Sequence, residues 1–182
     1  MNYVLGLDIS TTTVGYCIMD SNFNLHELSY IKLDKIDGLI NKAIALQTVL
    51  QSYTDIVTDV SIEEPLVRFK EGYSSAQVLS MLSQFNGMCN ILTHFVYNVT
   101  PVLYNVSNAR KLAFPNMKFP TGCHRKEVVR TRVAQEYTNI DWPFKHKAKN
   151  PDGTPKLKDE CWDMADALVI SRCHVVSLNK GK

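Results

Sequence analysis

The sequence has little of what marks a secreted or membrane-bound chain. Its five cysteines, Cys17, Cys89, Cys123, Cys161 and Cys173, are scattered and odd in number, and no two stand as Cys-x-x-Cys. That pattern excludes a disulfide framework and a zinc ribbon and agrees with a reducing compartment. In Cys123-His124 and Cys173-His174 the two neighbours point to different sides of a helix, so neither pair reads as a metal site. No run approaches the roughly 20 apolar residues that a spanning helix requires. The start, Met1 to Asp8, lacks the basic segment and long apolar stretch of a signal peptide. A soluble, cytoplasmic protein without a membrane partner is expected. An excess of charge is missing too: 20 Lys and Arg against 18 Asp and Glu leave a net charge of +2. Attraction to a polyanion must therefore come from where the lysines sit. Internal repeats and low-complexity segments are absent. What remains is 182 residues, 45% hydrophobic, enough for one domain over 1–182 with a real core.

The hydrophobic pattern alternates between strand and helix periods. Tyr3 to Ile9 and Val14 to Met19 are short apolar runs on either side of Thr11-Thr12-Thr13, which predicts a tight hairpin. Glu27 to Leu33 predicts a third strand, and Asp34 to Tyr53 a helix in which Ile36, Leu39, Ala43, Leu46 and Leu50 recur at helical spacing. Ile56 to Glu63 reads as a buried strand, Ser74 to Tyr97 as a long helix with one broad apolar face, and Val99 to Val106 as a further strand. A short helix from Ser107, a charged helix over His124 to Tyr137 and a last helix from about Glu160 to Leu178 follow. The order predicts an α/β fold, with a central mixed five-stranded sheet (βββαβαβ) and helices on both faces. Residues 139–158 carry Lys145, Lys147, Lys149, Lys156 and Lys158 against Asp141 and Asp152, with Pro-Asp-Gly between them, and read as a basic mobile loop.

Four carboxylates stand where apolar residues are the rule. Asp8 lies in an apolar strand, where losing its hydration costs several kcal/mol unless it is paired or coordinated. It either caps the turn through Ser10 to Thr13 or meets a cation. Glu63 and Glu64 end a later strand, and alternation lets only one of them share a face with a partner carboxylate; Glu63, nearer the strand, is better placed. Asp163 and Asp166 are three apart on an apolar helix and share one face, where a divalent cation relieves their repulsion. Asp159 and Glu160 instead suit the helix start and its dipole. Together, Asp8, Glu63, Asp163 and Asp166 supply hard oxygen ligands of the kind Mg²⁺ or Mn²⁺ prefers. Two such ions about 4 Å apart activate water and stabilise a departing 3′ oxygen in phosphodiester hydrolysis. No Ser/His/Asp or Cys/His arrangement has competing spacing.

Gly-Leu-Asp8 with following Ser/Thr and Gly15-Tyr16, then Ser-Ile-Glu63-Glu-Pro, then Trp-Asp163-Met-Ala-Asp166-Ala-Leu resemble the three acidic motifs of RuvC-type Holliday junction resolvases, within the RNase H-like and retroviral-integrase superfamily. The resemblance covers nearly the whole chain. It implies an RNase H-like fold and a crossover junction endodeoxyribonuclease that nicks four-way junctions in pairs. By resemblance Asp8, Glu63, Asp163 and Asp166 are the metal-binding catalytic carboxylates, holding two Mg²⁺ or Mn²⁺ ions, and Lys126 is the basic residue at the scissile phosphate. It further implies a homodimer formed through part of the Ser74 to Tyr97 helix. Arg68, Phe69, Lys70, Tyr73, Arg110, Lys111, Arg125 and Lys126 are expected to contact DNA, joined by the lysines of the 139–158 loop. The chain departs from the family where Ile9-Ser10 replaces Pro-Gly, where Leu66 stands in place of an aromatic residue, and in the length of that loop, which suggests a phage or viral version acting in a bacterial host's cytoplasm. Alternatives from other classes are a related flap or branched-DNA nuclease, a junction-binding module without catalysis, and an actin-like or sugar-kinase-type ATP-binding fragment.

Overall fold

The computed structural model describes residues 2–65 and 75–181. Strands β1 (Tyr3–Ile9), β2 (Thr13–Asp20) and β3 (Leu25–Lys32) form an antiparallel meander. Helix α1 (Leu39–Leu50) crosses to β4 (Val57–Glu63), which pairs parallel with β1, and α2 (Ala76–Tyr97) crosses to β5 (Val102–Tyr104), parallel to β4. The sheet order is β3-β2-β1-β4-β5, the mixed five-stranded sheet expected from the element order. Helices α3 (Val106–Ala113), α4 (Arg125–Glu136) and α5 (Glu160–Lys180) complete the chain.

Strand alternation divides the core in two. Leu5, Leu7, Tyr16, Ile18, Val60 and Ile62 pack with Leu46 of α1 and Phe85 and Cys89 of α2 on one face. Val4, Cys17 and Met19 pack on the other with Ala109 of α3, Val129 of α4 and a buried run of α5 around Leu168. Helix α5 lies directly on the sheet because β1 and β2 present glycines to it. A Cβ on Gly6 would stand 2.5 Å from the Ala167 carbonyl oxygen, and one on Gly15 would stand 2.1 Å from that of Asp163. Glycine inside a strand marks such a close approach. Among the described residues no helix is long and apolar enough to cross a membrane.

Three elements differ from expectation. The first helix starts at Leu39, not Asp34, because Gly38 takes a left-handed φ of 76° and breaks the backbone path; its last residues, Gln51–Tyr53, tighten into a 3-10 turn. The strand expected over Val99 to Val106 is only Val102–Tyr104, since Asn105 turns away to cap α3 by accepting from the Ser107 amide at 3.1 Å. The basic segment holds a hairpin of β6 (Phe144–Lys149) and β7 (Pro155–Leu157). Its turn closes through the Asn150 amide to the Thr154 carbonyl at 2.8 Å, with Gly153 at φ 83°.

Candidate active site

The parallel register sets the first two carboxylates. Leu7 of β1 pairs with Ile62 of β4, so the next residues, Asp8 and Glu63, stand side by side at the carboxyl ends of adjacent parallel strands. Alternation turns both toward α5, as the neighbouring Ser61 shows by donating to the Ile170 carbonyl at 3.4 Å. Carboxyl ends of parallel strands are where open α/β sheets place their sites. Glu64 is exposed, and its amide donates to the Tyr104 carbonyl at 2.9 Å. The choice between the two glutamates thus falls to Glu63. Asp8 does not cap the β1–β2 turn; Ser10 does, its Oγ accepting from the Thr13 amide at 3.0 Å and donating to the Thr13 carbonyl at 2.8 Å.

Helix α5 supplies the other two. Its backbone at Asp163 rests on Gly15, which pairs with Asp8 across β1 and β2. The absence of a side chain at Gly15 is what lets the start of α5 descend onto β2, beside Asp8. Asp163 and Asp166 then face the strand carboxylates from one side of the helix. Asp166 is 2% exposed and accepts from the Arg110 guanidinium at 2.8 Å. Lys126 of α4 donates to Asp163 at 3.2 Å and lies 3.8 Å from Asp166.

The electrostatics are those of crowded negative charge. Burial, and then the charges of Glu63 and Asp166, hold the Asp8 carboxyl well above the usual carboxylate range. Burial also raises Glu63, which a hydrogen bond from Asp8 partly offsets, so these two carboxyls favour sharing a proton. Asp163 is raised by burial against the opposing pull of Lys126. Burial would lower Lys126, yet Asp8, Asp163 and Asp166 outweigh it and keep its ammonium protonated. Four carboxylates face two cationic side chains, Lys126 and Arg110, and a divalent cation would supply the charge that is lacking. All four donors are hard oxygens, which fits Mg²⁺ or Mn²⁺ and disfavours softer metals. Among the described residues no three His, Cys, Asp or Glu side chains are gathered closely enough to hold an ion as they stand, and Lys126 and Arg110 engage the α5 aspartates.

Apart from Lys126, held on Asp163, and the lysines of residues 139–158, the expected DNA contacts fall into three groups. Lys111 and Arg125 are exposed, Arg125 lying 5.9 Å from the Phe119 ring centre. Arg110 is turned inward, its side chain only 12% exposed, because α3 buries Ala109 and Ala113 and carries Arg110 to Asp166. Arg68, Phe69, Lys70 and Tyr73 lie outside the described residues. Sequence reasoning missed the contacts made by Gly6 and Gly15, for which glycine within a strand was the available signal. It also missed the Arg110 pairing, for which the sequence carries none.

No family model matches the chain, and no curated protein sequence matches it. Solved structures do. Thermus thermophilus RuvC in complex with Holliday junction substrate superposes with a TM-score of 0.63 at 15% identity, covering 100% of this chain and 97% of that one. A second Thermus thermophilus RuvC structure gives 0.61 at 16% identity over 98% and 96%. A fowlpox virus resolvase with substrate Holliday junction DNA gives 0.49 at 16% identity over 97% and 98%. The chain shares the RuvC fold.

Proposed function

We propose that this chain is a divalent-metal-dependent endonuclease that resolves four-way DNA junctions by paired nicking. The observation that carries the reading is that Asp8 and Glu63, side by side at the carboxyl ends of β1 and β4, lie within electrostatic reach of Asp163 and Asp166 on α5. The shared fold supports it, since the RuvC structure of that fold was solved with a Holliday junction substrate.

In this mechanism Asp8, Glu63, Asp163 and Asp166 would hold Mg²⁺ or Mn²⁺, which would supply Lewis acidity for phosphodiester hydrolysis. Asp8 and Glu63 would bind the ion in their ionised form. Lys126 moves its ammonium from Asp163 toward the scissile phosphate, where it balances the charge that builds in the transition state. Arg110 stays on Asp166 and fixes the direction of that carboxylate.

Paired cutting calls for two sites related by a two-fold axis, as in a homodimer on a symmetric junction. The outer side of α2 supports that assembly: Met81, Ile91 and Phe95 are 38%, 62% and 79% exposed.

Cleavage of a labelled synthetic four-way junction in Mg²⁺ or Mn²⁺ tests the reading, with linear duplex and flap controls. Opposed nicks are expected, lost by a factor of 100 or more, on the order set by removing a metal ligand, in both Asp8→Asn and Asp163→Asn. Junction binding without metal-dependent cutting would leave a binding module, and cutting confined to flaps would change the substrate.

A further inference from the structure

Beside the carboxylates runs a groove of about 510 Å³ whose walls come from three separate parts of the chain. Thr12 and Thr13 of the β1–β2 turn form one side, Lys32 at the end of β3 adds to it, and Lys145 and Lys158 of the hairpin face them, with Asp163 at the inner end. Three lysines thus line a channel that opens onto a proposed metal ligand, and Asp34, Asp159 and Glu160 line it with them. Two of them are tied to the start of α5, Lys32 donating to Glu160 at 2.8 Å and Lys145 to Asp159 at 3.2 Å; Lys32 also lies 3.9 Å from Asp34, while Lys158 donates to no carboxylate among the described ion pairs. Both Lys145 and Asp159 are well exposed, at 39% and 70%, so their pair is held weakly and is open to exchange.

The hairpin supplies, with the residue that follows it, two of the groove's three lysines. Its register is irregular between Phe144 and Lys149, and Lys147 sits there at a left-handed φ of 58°. A bulge of this kind bends a strand and re-aims the side chains that flank it. Lys158 is anchored at the hairpin's base by its amide, which donates to the Pro143 carbonyl at 2.8 Å. That bond closes the base of the hairpin beside Lys158, which with Lys145 lines the groove.

We infer that this groove is a phosphate track: one strand of a duplex arm leaves the carboxylates between the β1–β2 turn and the β6–β7 hairpin, with Lys32, Lys145 and Lys158 on successive phosphates. The inference rests on the nuclease reading and specifies where the substrate strand runs. On binding, Lys145 exchanges Asp159 for phosphate, and the exchange releases condensed counterions from the DNA. The backbone contacts set register and orientation without reading base sequence.

The test is the affinity for a labelled four-way junction as a function of salt, in an Asp8→Asn background so that cutting does not intervene. Adding Lys145→Gln and Lys158→Gln together is expected to weaken binding on the order of tenfold or more and to reduce the slope of log affinity against log salt by about 2. Lys180→Gln, at the far end of α5, is the control for general loss of charge. Asp159→Asn provides a change of opposite sign: it frees Lys145 and should tighten binding about two- to fivefold, and it removes no helix cap, since Asp159 makes no side-chain cap hydrogen bond. Circular dichroism of each variant checks its folding. Lysine variants that match the control in affinity and slope overturn the phosphate track while leaving the nuclease reading intact. If the Asp8→Asn protein binds no DNA of any architecture, the nuclease reading falls first and the track with it.

Discussion

At Gly15 the backbone of α5 occupies the space a methyl group would need, with the Asp163 carbonyl carbon and oxygen 2.4 and 2.1 Å from an ideal Cβ. Neither atom belongs to a side chain that could rotate away, so any larger residue must lift the helix. Lifting it carries Asp163 away from Asp8. Gly15→Ala is therefore expected to cost about 3 kcal/mol, the upper end of ordinary overpacking, and to reduce junction cleavage even where the chain still folds. Urea unfolding and cleavage at a temperature well below the midpoint would separate the two effects. A variant that is as stable as the parent would mean that α5 does not rest on β2 in this way. Arg110 shows the reverse relation between sequence and site. Nothing in its neighbours distinguishes it from Lys111, yet one is pinned to Asp166 and the other is exposed.

Helix α2 illustrates what an element's period can and cannot say. The apolar positions recur at helical spacing as expected, and Phe85 and Cys89 are fully buried against the sheet. Met81, Ile91 and Phe95 belong to the same apolar population but lie on the outer side. Periodicity identifies a face; it does not count the partners that cover it. In the proposed dimer these residues meet their copies, and Ile91→Glu with Phe95→Glu should give a monomer in sedimentation velocity. Because both side chains are already largely exposed, the stability of each folded chain should change by about 0.5 kcal/mol or less. A parent chain that sediments as a monomer at micromolar concentration would remove this interface. The hairpin makes a related point: a polar run rich in lysine reads as loop, while its Asn-Pro-Asp-Gly-Thr turn permits the two strands that the structure contains.

Across the whole molecule the acidic site acts against stability. Asp8, Glu63 and Asp163 have carboxyls held above the usual range, so just above that range the folded chain retains protons that the unfolded chain has released. Stability from these groups is greatest at low pH and falls as pH rises through their raised values. Asp20, Glu127 and Glu160, whose carboxyls are lowered by hydrogen bonds that outweigh burial, act in the opposite sense. The difference between the parent and Asp8→Asn cancels that opposing part. In metal-free buffer the variant should gain on the parent as pH rises toward neutrality, by about 2–4 °C in thermal midpoint, the shift that about 1 kcal/mol produces at this size. Added Mg²⁺ should raise the parent's midpoint and leave the variant's nearly unchanged. Parallel curves for the two proteins would mean that Asp8 carries no such burden. The sequence by itself determined the succession of the five sheet strands and five helices, without the β6–β7 hairpin, and the presence of four carboxylates in apolar surroundings, because periods of 2 and 3.6 and the cost of burying charge are local properties of the chain. Only the tertiary structure decided that Glu63 rather than Glu64 stands beside Asp8, that Gly6 and Gly15 seat α5 on the sheet, and that Arg110 turns inward to Asp166. Those outcomes depend on the parallel register of β1 with β4 and on the depth at which α5 packs, and both are fixed by contacts between residues far apart in sequence.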